Sequence, residues 1–118
     1  MRLFVDDLRD PREWLPGMRW YREHPSDLGE WVWVKTASET IRLLEREGIT
    51  EMSLDFDLGD RDDVGDGNDV AVWIEERVAL DENYVPPILH VHSSNVGGRE
   101  RLEAAVASIE RLVARRGR

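Results

Sequence analysis

Cysteine is absent from the 118 residues, and lysine occurs once, at Lys35. Without cysteine there is no disulfide framework and no thiol chemistry, and the redox compartment stays open. Long apolar runs are missing too: no window approaches the ~18 residues of a membrane span. Met1-Arg2-Leu3-Phe4-Val5 runs straight into Asp6-Asp7, with no apolar stretch of the kind a secretory signal needs. The expectation is a cytoplasmic protein without a membrane role. A surplus of basic charge is also lacking, since the formal charge is -9. That argues against a broad duplex nucleic-acid surface. It leaves room for a small phosphate-bearing ligand where a metal ion screens the acids. There is no internal repeat and no low-complexity tract.

A chain of 118 residues fits one domain, 1–118, and a chain of this size hides roughly two-thirds of its unfolded surface. Short apolar runs read as strands: Leu3-Phe4-Val5, Trp31-Val32-Trp33-Val34, Met52 to Asp55, and Ile88 to His92. Thr36-Ala37-Ser38-Glu39 has capping-box spacing, and Ala37, Ile41 and Leu44 share one helical face ahead of Gly48. Residues 59–68 are rich in glycine and aspartate and read as a loop. Val70, Ala71, Trp73, Ile74 and Val78 then mark a helix starting near Asn68 or Asp69. Leu102, Ala105, Val106, Ile109, Leu112 and Val113 form the stripe of a last helix, with Arg115 and Arg116 suited to its C-terminal dipole. Arg9-Asp10-Pro11-Arg12 reads as a turn. Residues 11–30 read as an irregular insertion whose Trp14, Trp20 and Tyr21 either cover an edge of the core or wall a ligand pocket. Strands alternating with helices imply crossover units. The fold class is α/β, a small doubly wound parallel sheet of about four strands.

In a parallel sheet the carboxyl ends of all strands share one rim, where ligands bind. Asp6 and Asp7 leave the first strand there, and Asp55 and Asp57 leave the third. Two like charges ~4 Å apart repel by about 4 kcal/mol at an effective dielectric of ~20. Such a gathering needs either a protonated acid or a cation among the carboxylates. Oxygen donors favour a hard ion, Mg²⁺, Mn²⁺ or Ca²⁺, with Asp6, Asp7 and Asp55 as ligands. Asp10, Asp60, Asp62, Asp63 and Asp66 read instead as solvated loop residues or caps. The stretch from Asp57 to Asp62 has its glycine misplaced for an EF-hand.

The second constellation is His90-Val91-His92-Ser93-Ser94-Asn95. Alternation puts both histidines on one side of the strand. His92, nearer the exit, reaches toward the acids, while His90 packs deeper. Ser93, Ser94, Asn95 and Arg99 lie at the start of the last helix, where free N–H groups suit a phosphate. Asn95 or Ser94 would equally serve as the helix cap.

Taken together, Val5-Asp6-Asp7-Leu8-Arg9, Trp31-Val32-Trp33-Val34, Leu54-Asp55-Phe56-Asp57-Leu58-Gly59, Gly67-Asn68-Asp69-Val70 and His92-Ser93-Ser94-Asn95 resemble the cyclic-phosphate processing receiver domain, a divergent branch of the two-component receiver fold. The resemblance implies a receiver-like site turned to cyclic phosphates of nucleotides or RNA ends, proposed for RNA repair. Phe56 stands where that family usually has histidine. An ordinary receiver would add a fifth strand bearing a lysine. The resulting expectation is a Mg²⁺-dependent (or Mn²⁺-dependent) phosphoesterase for a small phosphate ester or an RNA 2′,3′-cyclic phosphate end. In it His92 is acid or base, Asp55 a metal ligand or transient nucleophile, and Asp57 orients water or His92. Ser93, Ser94, Asn95 and Arg99 hold phosphate oxygens. Two other expectations stay open: a phospho-accepting receiver with Asp55 as acceptor, and a nucleotide- or protein-binding domain without turnover. The oligomeric state is open.

Overall fold

A computed structural model describes residues 1–58 and 65–116. Four parallel strands, β1 (Arg2–Val5), β2 (Trp31–Val34), β3 (Glu51–Leu54) and β4 (Ile88–Val91), form one sheet in the order β2-β1-β3-β4. β1 and β3 are the inner strands. Their apolar runs lack polar alternation because both faces are covered: Leu3, Phe4, Val5, Met52 and Ser53 are fully buried.

Alternation along β1 divides the interior in two. Leu3 and Val5 point into the larger core, built with Met52, Leu54 and the faces of three helices: α3 (Ala37–Arg46), α4 (Gly67–Leu80) and α5 (Val96–Ala114). Phe4 points the other way, into a smaller aromatic core with Leu15, Tyr21 and Trp31. The 11–30 segment supplies that second layer. It is more ordered than the irregular insertion its sequence suggests. Two short helices, α1 (Pro11–Trp14) and α2 (Arg19–Glu23), and two 3₁₀ turns fill it. The turn signal at Asp10-Pro11 is a helix start: the Asp10 carboxylate accepts from the Arg12 N–H, and Pro11 takes the first helical position. Helical periodicity is invisible there because neither helix exceeds five residues.

Elsewhere the boundaries shift by a residue or two. Thr36 caps α3 through the Glu39 N–H, and the helix ends at Arg46, ahead of Gly48. α4 begins at Gly67, with Asp66 and Asp69 forming a reciprocal capping box. Arg116 does more than complement its own helix. Its guanidinium donates to the carbonyls of Val78, Asp81 and Tyr84, clamping α5 to the end of α4. The EF-hand comparison and the roles of Asp60, Asp62 and Asp63 fall on residues 59–64, outside the described residues. No helix among the described residues is long and apolar enough to cross a membrane.

Candidate functional site

The carboxyl ends of β1, β3 and β4 bring Asp6, Asp55 and His92 together. One donor atom from each lies within 4.8 Å of the others. Backbone ladders continue past the strand ends to fix them: Asp55 N–H donates to the Val5 carbonyl at 3.0 Å, and His92 N–H to the Leu54 carbonyl at 3.0 Å. Trp33 pins the Asp6 carbonyl through its indole N–H at 2.7 Å.

Asp6 is fully buried and saturated. One carboxylate oxygen accepts the N–H groups of Leu8 and Arg9, at 2.8 and 2.9 Å. The other accepts Arg9 Nη1 at 3.2 Å and His92 Nε2 at 3.0 Å. Burial alone would push this carboxyl up. The bonds from His92, Arg9 and Leu8 outweigh it and lower the pKa from 3.8 to about 2. Asp55 moves the opposite way. Burial and the neighbouring Asp6 charge raise it, against the pull of His92, the Ser93 hydroxyl and Arg9. The two acids thus differ, one held ionised and one biased toward its protonated form.

The cation that such a gathering needs is already present in the chain. Arg9 Nη1 lies 3.2 Å from Asp6 and 3.5 Å from Asp55, and Nη2 donates to Ser94 Oγ at 3.2 Å. Sequence reasoning passes over Arg9 and looks to a metal ion. The available signal was the rule that clustered acids need a counter-charge, applied to the first basic residue after Asp6-Asp7.

His92 is sandwiched. Its ring stacks on Phe4 at 4.5 Å, and Nδ1 meets Ser53 Oγ at 2.6 Å. An ionised carboxylate only accepts, so the Asp6 contact places a proton on Nε2. In the neutral imidazole Nδ1 then accepts the Ser53 hydroxyl proton. His90 lies on the same side, stacked on Trp20 at 3.6 Å and bonded to Glu51 at 2.8 Å. Burial lowers its pKa, against the pull of Glu51. Its partners make it a packing residue, as its depth in the strand suggests.

The remaining site residues fall around this centre. Asp7 and Asp57 line a shallow cavity with Asp6, Asp55 and Ser94, but the 4.8 Å cluster contains His92 where Asp7 was expected. Asp57 is exposed and accepts from Asn95 Nδ2 at 3.4 Å. Asn95 is the cap of α5, its Oδ1 accepting the Gly98 N–H, while Ser93 Oγ accepts the Asn95 N–H. Arg99 pairs with Glu103 on the helix surface. Lys35 sits over Trp33, its Nζ 4.4 Å from the ring centre.

Two glycines hold the rim tight. A Cβ on Gly67 would stand 2.1 Å from the Asp55 carbonyl oxygen, and one on Gly98 would stand 2.3 Å from the Phe56 ring. Phe56 therefore packs against the start of α5. Two carboxylate oxygens and an imidazole nitrogen are a donor set that a divalent cation can take. Arg9 contacts both carboxylates, so ion and guanidinium compete for the same oxygens.

A parallel sheet in the order β2-β1-β3-β4 with acids gathered at its carboxyl rim defines a receiver-like α/β domain. A family model described as the cyclic-phosphate processing receiver domain matches residues 1–108. The chain belongs to that family. Among solved structures it is similar to one described as the signal receiver domain of a Luxo repressor protein from Vibrio parahaemolyticus, at 20% identity and a TM-score of 0.49, covering 94% of this chain and 90% of that one. Among curated proteins none matches.

Proposed function

We propose that the rim binds and hydrolyses a cyclic or terminal phosphate ester of a nucleotide or RNA end. The observation that supports this reading most is the joining of Asp6, Asp55 and His92 within 4.8 Å, with Arg9 bonded to both acids. An acid, a base and a cation so close together support a site at which a phosphoryl group is bound, polarised and protonated.

In this reading Asp6, Asp7 and Asp55 would hold a Mg²⁺ or Mn²⁺ ion, while His92 Nε2 stays outside the ligand set and keeps its proton. When bound, the ion would act as a Lewis acid toward a phosphoryl oxygen. The chain's own groups do the rest. Arg9 turns from the acids toward the phosphate, keeping its link to Ser94. Ser93, Ser94 and Arg99 offer donors to phosphate oxygens at the start of α5. Water adds to phosphorus with Asp57 orienting it, accepting its proton and passing that proton to solvent, and one bond from phosphorus to a ribose oxygen breaks. The leaving oxygen takes a proton from Nε2 of the imidazolium form of His92, whose Nδ1–H is then held by Ser53. Ser53 and Phe4 are positioning residues that fix the ring.

The test is a turnover screen of 2′,3′-cyclic nucleotides and RNA ends with Mg²⁺ or Mn²⁺. Metal-dependent product formation is expected, abolished by chelator. His92→Ala should cost about 10²-fold or more with the fold retained. Full activity in that variant removes His92 from the chemistry.

A second reading rests on Asp55 alone. It directly follows β3 with its side chain 6% exposed, the place of a phospho-acceptor in an ordinary receiver. Acetyl phosphate would then add one phosphoryl group, seen by intact mass and lost in Asp55→Asn. The ordinary switch uses a lysine, and Lys35 is engaged on Trp33 instead.

A further inference from the structure

We infer that the 11–30 segment builds a base-stacking subsite, so that the ester recognised at the rim is a nucleotide. The inference rests on the phosphate reading above and adds what holds the rest of the ligand. Beside the acids lies a cavity of about 620 Å³, within the range of roughly 300–1,000 Å³ typical of small-molecule sites. One wall comes from the 11–30 segment: Trp14, Met18 and Trp20. The facing side is the exit of β4 and the first turn of α5, with His92, Ser94 and Arg99.

The two halves meet at Arg9. Its guanidinium carbon lies 4.9 Å from the centre of the Trp14 ring, while its amino groups reach Asp6, Asp55 and Ser94. Trp20 is engaged by its stack on His90, at 3.6 Å between ring centres. Trp14 is different: 47% of it is exposed, and it belongs to neither core. A large ring half exposed, with Arg9 over one face, beside a phosphate-sized polar corner is an arrangement for stacking a flat, polar-edged group. The cavity lining carries three arginines, Arg9, Arg19 and Arg99, against Glu13. Arg19 and Arg99 are paired with Glu23 and Glu103 in exposed ion pairs, which exchange for a ligand anion at little cost. Aromatic ring, methionine and arginines together match a base joined to a phosphate better than they match a sugar phosphate, which offers no face to stack.

The shared chemistry is one phosphate-bearing nucleotide, free or at the end of an RNA strand. Calorimetric titration in chelator, which suppresses turnover, uses four probes: adenosine, ribose 5-phosphate, adenosine 2′,3′-cyclic phosphate, and an RNA hexamer ending in a 2′,3′-cyclic phosphate. The cyclic nucleotide should bind about tenfold or more tighter than ribose 5-phosphate. Trp14→Ala should erase that margin and Trp14→Phe restore it. Equal affinity for the free nucleotide and the RNA end supports recognition of a single nucleotide, and preference for the hexamer supports the strand terminus. Ribose 5-phosphate binding as tightly as the nucleotide overturns the subsite while leaving the phosphate reading intact. Adenosine binding as tightly as the cyclic nucleotide, still lost in Trp14→Ala, supports the subsite and overturns the phosphate reading. No binding of any base-bearing probe overturns the subsite outright.

Discussion

Replacing Asp6 by asparagine separates two physical pictures of the acidic rim. If the clustered carboxylates merely repel, neutralising one should stabilise the fold. The geometry demands the reverse. Asp6 accepts four hydrogen bonds, two per oxygen. An asparagine side chain has one acceptor oxygen, and its NH₂ would face either the Leu8 and Arg9 N–H groups or Arg9 and His92. The native pKa of about 2 lies below the ordinary 3.8. A carboxyl depressed in the folded state contributes stability that is present above its unfolded pKa and lost as pH falls through the folded one. That fall is worth about 2 kcal/mol. Asp6→Asn should therefore lose about 2 kcal/mol or more at pH 7. Its deficit should narrow between about pH 4 and pH 2 as wild-type Asp6 takes up its proton. Urea unfolding in chelator at several pH values measures both. A variant as stable as wild type at pH 7, or more stable, would refute the view that Asp6 is held by its donors.

Asp55 should behave in the opposite sense. Burial and the Asp6 charge raise its pKa, so its ionised form weakens the fold as pH rises through that value. Asp55→Asn should be more stable than wild type at pH 7, with the advantage vanishing below about pH 4; equal urea midpoints at pH 7 would count against the raised pKa. At Gly98 a Cβ would stand 2.3 Å from the Phe56 ring, so Gly98→Ala should cost about 1–3 kcal/mol by forcing Phe56 aside. An unchanged melting point would show that the Phe56 contact is loose.

How much was legible in the chain varies with the range of the interaction. The strands were readable because β1 and β3 are inner strands of a parallel sheet, and burial on both faces demands the unbroken apolar runs Leu3-Phe4-Val5 and Met52-Ser53-Leu54. The gathering of Asp6 and Asp55 followed from direction alone, since parallel strands end on one rim. Arg9 was legible only through the need of clustered acids for a counter-charge: an arginine three residues beyond an aspartate otherwise reads as surface, and the fold turns it back between two carboxylates. The short helices of residues 11–30 were hidden for lack of length.

The alternation of strand and helix, the parallel sheet and the acids at its exits are written in the local chain, because hydrophobic period and connection length are local properties. Which groups touch is set by the assembled fold. Asp6 meets His92 across 86 positions and Arg9 meets Ser94 across 85. Contacts of that range are set by strand order and side-chain direction, and no local pattern encodes them.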